Sequence, residues 1–133
     1  MTHEKRVEIR WRDLDAYRHV NNSVYATYLE EGRDEWVERA LGGVSDLWDF
    51  VLARVAIDFR EELTQEDDEV VVSITLARIG TASMTLREEV RKLDGTLSAE
   101  AEAVLVARDR ASGRSRPLTA AERDALTGVL PIA

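Results

Sequence analysis

A change of hydrophobic period at Val24 constrains this chain more than any other feature. From there to about Leu41, Tyr25, Tyr28, Leu29, Gly32, Trp36 and Ala40 fall on one face of a 3.6-residue helix. At 1.5 Å per residue such a helix is roughly 25 Å long. Ahead of it, Val7, Ile9 and Trp11 alternate with Glu8, Arg10 and Arg12, the period-2 pattern of a strand with one face covered. Four extended stretches come after it, at residues 51–61, 69–79, 82–92 and 96–108, and the turn sequences "IGTAS" and "LDGT" separate the last three. The expected order is one strand, a long helix and four strands in an antiparallel meander. That order predicts an α+β fold with one helix packed on one curved five-stranded sheet.

Local punctuation supports these elements. Gly42 and Gly43 stop the long helix. Gly32 costs about 1 kcal/mol relative to alanine inside a helix, so its place on the apolar face implies close approach to another element. The expected partner is the small-residue face Leu97, Ala99, Ala101, Ala103, Leu105 and Ala107. Thr119, with Glu122 three residues later, reads as the capping box of a short closing helix.

At 133 residues the chain is read as one domain, 1–133, long enough to bury a core without staples. A net charge of −8 argues against a nucleic-acid partner, which needs a basic face. There is no cysteine, hence no disulfide, thiolate nucleophile or cysteine zinc site, and with only His3 and His19 no metal site is expected. The opening "MTHEKRVEIRW" is charged throughout and does not read as a signal peptide. No apolar run approaches a membrane span, so the expected location is cytoplasmic. Long edge strands, and apolar Val104 and Val106 on the uncovered sheet face, predict a homodimer or homotetramer.

The chemistry concentrates in "DLDAYRHVNN", residues 13–22. Asp13 and Asp15 are either loop acids drawn to the positive helix end or a general base or nucleophile beside a pocket. Backbone N–H groups near Asn22 and Ser23 have no intrahelical acceptor and are suited to a developing oxyanion. His19 is a loop histidine, structural or a base. Asn21 and Asn22 read as turn and cap residues, or as amides that orient a carboxylate. Glu30 is a solvated residue paired nearby, for example with Arg33, or a carboxylate facing a subunit interface. Tyr25 and Tyr28 read as core aromatics. The arginines at 54, 60, 78, 87 and 91 read as solvated, a subset being candidates for an anionic ligand.

The stretch "RWRDLDAYRHVNNSVYATYLEEGR" resembles the entrance motif of hotdog-fold acyl-CoA thioesterases of the 4-hydroxybenzoyl-CoA thioesterase type. The later "VAIDFREEL", "DDEVVVSITLARIGTASMTLREEV" and the alanine-rich last strand fall where that family places its strands. The resemblance implies a hotdog fold, dimers that join their sheets, and hydrolysis of acyl-CoA with no cofactor beyond the CoA of the substrate. It implies Asp15 as the catalytic carboxylate, an oxyanion donor at the helix start near Asn22, and Glu30 at the family's helix glutamate. It further implies a CoA phosphate site built partly from the partner subunit. The competing readings are a hydratase or dehydratase using Asp15 with His19, and a non-catalytic acyl-CoA-binding module. Arg18 stands where the family commonly has glycine, and Glu62 where proline is common. If that glycine is left-handed, Arg18 carries strain.

Overall fold

Helix α1 (Asn22–Leu41) lies on an antiparallel sheet of five strands, β1 (Thr2–Glu8), β2 (Phe50–Phe59), β3 (Glu69–Ile79), β4 (Ser83–Lys92) and β5 (Leu97–Ala107), and a second helix, α2 (Ala120–Val129), closes the chain. This computed structural model describes residues 1–131, so the last two positions of the expected domain lie outside it. The architecture is the expected α+β hotdog arrangement.

The strand order, β1-β3-β4-β5-β2, corrects the expected meander. β3, β4 and β5 do follow one another through tight turns, closed by Gly80 N–H to Ser83 O at 2.7 Å and Lys92 N–H to Thr96 O at 2.9 Å. β2 instead pairs with β5, Phe50 opposite Ala107 and Phe59 opposite Ala99, at the far edge. The cause lies in the link after β2, which is tied to the segment ahead of α1 by Val20 N–H donating to Leu63 O at 2.8 Å. That tie carries the chain across the helix end before β3 begins, and β1 pairs along β3 instead. Register shifts at Leu52/Arg54 and Leu76/Arg78 bend the sheet around the helix.

The first strand is shorter than its alternation implies. β1 ends at Glu8, and Trp11, 82% exposed, opens a 3-10 turn, Trp11–Asp13. Asp13 causes the break, because its carboxylate accepts the Arg10 N–H at 2.9 Å and curls the chain.

Gly32 does mark a close approach, but to β3 and not to the alanine face of β5. A Cβ on Gly32 would lie 2.5 Å from Val72 Cγ1 and 3.4 Å from Ile74 Cγ1. Trp36, Tyr28, Leu29 and Leu41 of α1 are buried with Val72, Ile74 and Leu86 of the sheet. Each such aliphatic side chain contributes roughly 1.5–3 kcal/mol by leaving water. The outer sheet face is more polar than Val104 and Val106 suggest. Arg54–Glu102 and Arg60–Glu100 ion pairs, both 3.0 Å, cross between β5 and the β2 side.

Candidate active site

The segment between β1 and α1 is a miniature hairpin. Asn21 N–H donates to Asp13 O at 2.9 Å, Leu14 bridges Val20, and Asp15 N–H donates to His19 O at 3.0 Å. Arg18 N–H closes the turn on Asp15 O at 2.9 Å. A three-residue hairpin loop of this kind needs its last residue left-handed. Arg18 fills that position with φ 65°, so the strain expected of a non-glycine residue is present. It costs on the order of 1 kcal/mol.

The two acids of "DLD" part company. Asp13 is 2% exposed and saturated, accepting the Arg10 N–H at 2.9 Å, the Arg10 guanidinium at 3.0 Å and the Tyr28 hydroxyl at 2.7 Å. Burial alone would raise its pKa, but those donors together hold it below the ordinary aspartate value. Asp15 is half-buried, and its side chain accepts one hydrogen bond among the described residues, from Tyr17 N–H to Oδ1 at 2.9 Å. Its second oxygen is free to meet water or a substrate.

The start of α1 narrows the oxyanion donor to one group. Asn21 is the N-cap, its Oδ1 accepting Ser23 N–H at 2.9 Å, and Val24 N–H donates to Asn21 O at 2.9 Å. Ser23, expected as a free donor, is thereby occupied. Asn22 N–H is left without an acceptor among the described residues, at the positive end of a 20-residue helix. The fold thus brings Asp15 and Asn22 to the same end of α1.

The other candidates fall elsewhere. His19 Nε2 lies 3.0 Å from Glu62 Oε2, so the residue that departs from the family's proline holds the histidine ring. Glu30 is exposed two turns into α1, in a cleft of about 380 Å³ shared with Asp34, Val37, Trp48, Phe50 and Leu52. Arg33 does not pair with it: its guanidinium makes a buried bidentate bond to Glu88 at 2.7 and 2.8 Å. Asp34 was not singled out from the sequence, although its i,i+4 spacing from Glu30 puts both acids on one helix face. Burial first, and then Glu30, push its carboxyl above the ordinary range. Of the strand arginines, Arg54, Arg60 and Arg91 are held by glutamates, whereas Arg78 and Arg87 have no ion pair among the described residues. No cluster of three or more metal-ligating side chains occurs among the described residues. No helix among them is long and apolar enough to cross a membrane.

Comparisons with known proteins converge on this architecture. A sequence model of the Thioesterase-like superfamily matches residues 9–126, taking in the hairpin, α1 and the strands that follow. A thioesterase from Thermus thermophilus, solved in complex with coenzyme A and Zn, is 31% identical; the match covers 96% of this chain and 92% of that one, with a TM-score of 0.85. A predicted thioesterase from Bacillus stearothermophilus is 23% identical over 98% of this chain and 97% of that one, with a TM-score of 0.88. A 1,4-dihydroxy-2-naphthoyl-CoA thioesterase from Synechocystis is 17% identical over 96% of both chains, with a TM-score of 0.78. The last two likenesses carry the fold alone. No curated protein matches the chain in sequence.

Proposed function

The chain belongs to the Thioesterase-like superfamily, and from that premise we propose that it hydrolyses an acyl-CoA thioester to the free acid and CoA, with Asp15 as the working carboxylate. The observation that carries this reading is the pairing of a free Asp15 oxygen with the open Asn22 N–H at one helix end. Asp15 either takes a proton from water as it attacks the thioester carbonyl or attacks the carbonyl itself, forming an anhydride that water then opens. In both routes a C–O bond forms, the C–S bond breaks and CoA leaves as a thiolate that needs little protonation. Asn22 N–H stabilises the carbonyl oxygen as it gains charge. No cofactor beyond the CoA of the substrate is needed.

In this reading a second copy of the chain completes the site. β2 is an edge strand that exposes Val51, Leu52 and Phe59. Antiparallel pairing of β2 with its own copy would cover this edge isologously. It would also set the Phe59 end of one copy against the Phe50 end of the other. Phe59 packs edge-on against Tyr25 near the start of α1, at 5.0 Å between ring centroids, while Phe50 and Leu52 line the Glu30 cleft. The cleft of one copy would then lie beside the Asp15 end of its partner and supply a wall for the acyl group. A hydratase would need His19 working with Asp15, and Glu62 engages that ring.

A panel of acyl-CoA substrates, assayed by release of the free thiol, tests the activity. Turnover well above buffer with at least one acyl class is the expected result. Absence of turnover across short, long and aromatic acyl groups contradicts it.

A further inference from the structure

The sheet face turned away from α1 carries charges that a single chain does not match. Alternation buries Leu86, Glu88 and Val90 of β4 and Ala99, Ala101 and Ala103 of β5, so Arg87, Glu89, Glu100 and Glu102 point outward. Register then sets Glu89 opposite Glu100, and Glu100 opposite Asp58 of β2. Three carboxylates thus stand in one row across three strands, an arrangement that like-charge repulsion disfavours. Arg91 holds Glu89 and Arg60 holds Glu100, each at 3.0 Å, while Asp58 has no cationic partner among the described residues. In the next row Arg87 lies opposite Glu102, but Arg54 takes Glu102 at 3.0 Å and Arg87 is left without an ion pair among them. Both rows border one open depression of about 440 Å³. Water commonly covers one face of an antiparallel sheet. This face differs in that its two unmatched charges have opposite signs and flank β5.

We infer that this face stacks on the same face of a second copy of the chain, Arg87 of one copy pairing with Asp58 of the other. Within one chain the two backbones are about 12 Å apart, two strands across and two residues along, so the side chains do not meet. A two-fold axis lying between stacked faces exchanges two such positions, and one rotation makes both pairs at once. Stacked sheets lie about 10 Å apart, a gap that an arginine and an aspartate reaching from opposite sides bridge. Each acid row thereby gains a guanidinium from the other copy. Ala56, small and exposed on the same depression, lets the faces approach. At one end the face turns apolar, where Val51 lies opposite Val106 with Val104 two residues away, and stacking takes these side chains out of water. The contact leaves the β2 edge open, so it doubles whatever assembly that edge makes. It does not depend on the reaction assigned to Asp15.

The test is the solution mass of the full chain by sedimentation equilibrium, for wild type, Arg87→Asp, Asp58→Arg and an equimolar mixture of the two variants. Each variant alone sets like charges against each other twice per contact. Its association should weaken by about 100-fold, and its mass should fall to half that of wild type. The mixture brings opposite signs together at both points of the contact and should recover the wild-type mass, which a contact within one chain does not predict. Asp58→Arg also relieves the acid row of its own sheet, so misfolding does not account for its loss of mass. A monomeric wild type overturns the inference, as does a mixture that stays dissociated. So does a mass that neither substitution changes, which leaves the face to water or to a different protein.

Discussion

The Tyr28 hydroxyl donates to Asp13 Oδ2 at 2.7 Å, tying the entrance loop to the buried face of α1. This bond divides the labour of "DLD". Asp13 is a brace whose lone pairs are filled, and Asp15, two residues on, keeps an oxygen for chemistry. Burial first, and then Asp13 itself, drive the Tyr28 phenol far above its ordinary pKa, so it stays a donor.

Tyr28→Phe should therefore cost stability and not chemistry. Removing a hydrogen bond to a buried charge costs about 1.5–3 kcal/mol. Urea unfolding should show that loss, with kcat per folded molecule close to wild type. A large fall in kcat at unchanged stability would move Tyr28 and Asp13 into the catalytic machinery.

Arg18→Gly should stabilise the fold. Relief of the left-handed strain at φ 65° outweighs the added freedom of the unfolded chain by about 0.5 kcal/mol. A thermal melt should rise by about 1–2 °C. A melt at or below the wild-type value would show that the guanidinium makes stabilising contacts within the monomer.

Much of this was legible because it is local. The capping box of Thr119 with Glu122 forms as its spacing implies, Thr119 Oγ1 accepting Glu122 N–H at 3.0 Å. The Gly42–Gly43 stop holds, Gly43 at φ 86°. The left-handed cost at Arg18 followed from one departure in a motif. Pairing between distant segments leaves no such mark. Nothing local in residues 51–61 says that β2 skips its neighbour to join β5. Gly32 announces a close approach without naming Val72 as its partner. Asp13 and Asp15 look alike until Arg10 and Tyr28 are folded around one of them. The pairing of Arg33 with Glu88 likewise depends on α1 crossing β4.

Gly32→Ala should destabilise although alanine is the better helix former. The propensity gain of about 1 kcal/mol meets a contact of 2.5 Å with Val72 Cγ1. Overpacking of this kind costs about 1–3 kcal/mol, so chemical denaturation should show a net loss. Val72→Ala in the same chain should recover part of it. A stabilised Gly32→Ala would mean that α1 slides on β3 at little cost.

Acid should weaken the protein through Glu122. Burial alone would raise this carboxyl, but Arg116, Ser45 and the Thr119 N–H bring it down to about 2. A depressed carboxyl stabilises the fold fully above its ordinary value and loses that contribution as pH falls toward the folded one. The window therefore runs from about 4.5 down to about 2, with up to about 3 kcal/mol at stake. Glu122→Gln should be less stable at neutral pH and lose less than wild type across that window. Parallel pH profiles would contradict this.

The division between Asp13 and Asp15 is tested most directly by the turnover of Asp15→Asn on an acyl-CoA that wild type hydrolyses. Loss of the working carboxylate should lower kcat by about 10²–10⁴-fold, with an unchanged melting temperature and CoA binding retained. Turnover within a few-fold of wild type would contradict the assignment and return the catalytic role to another group.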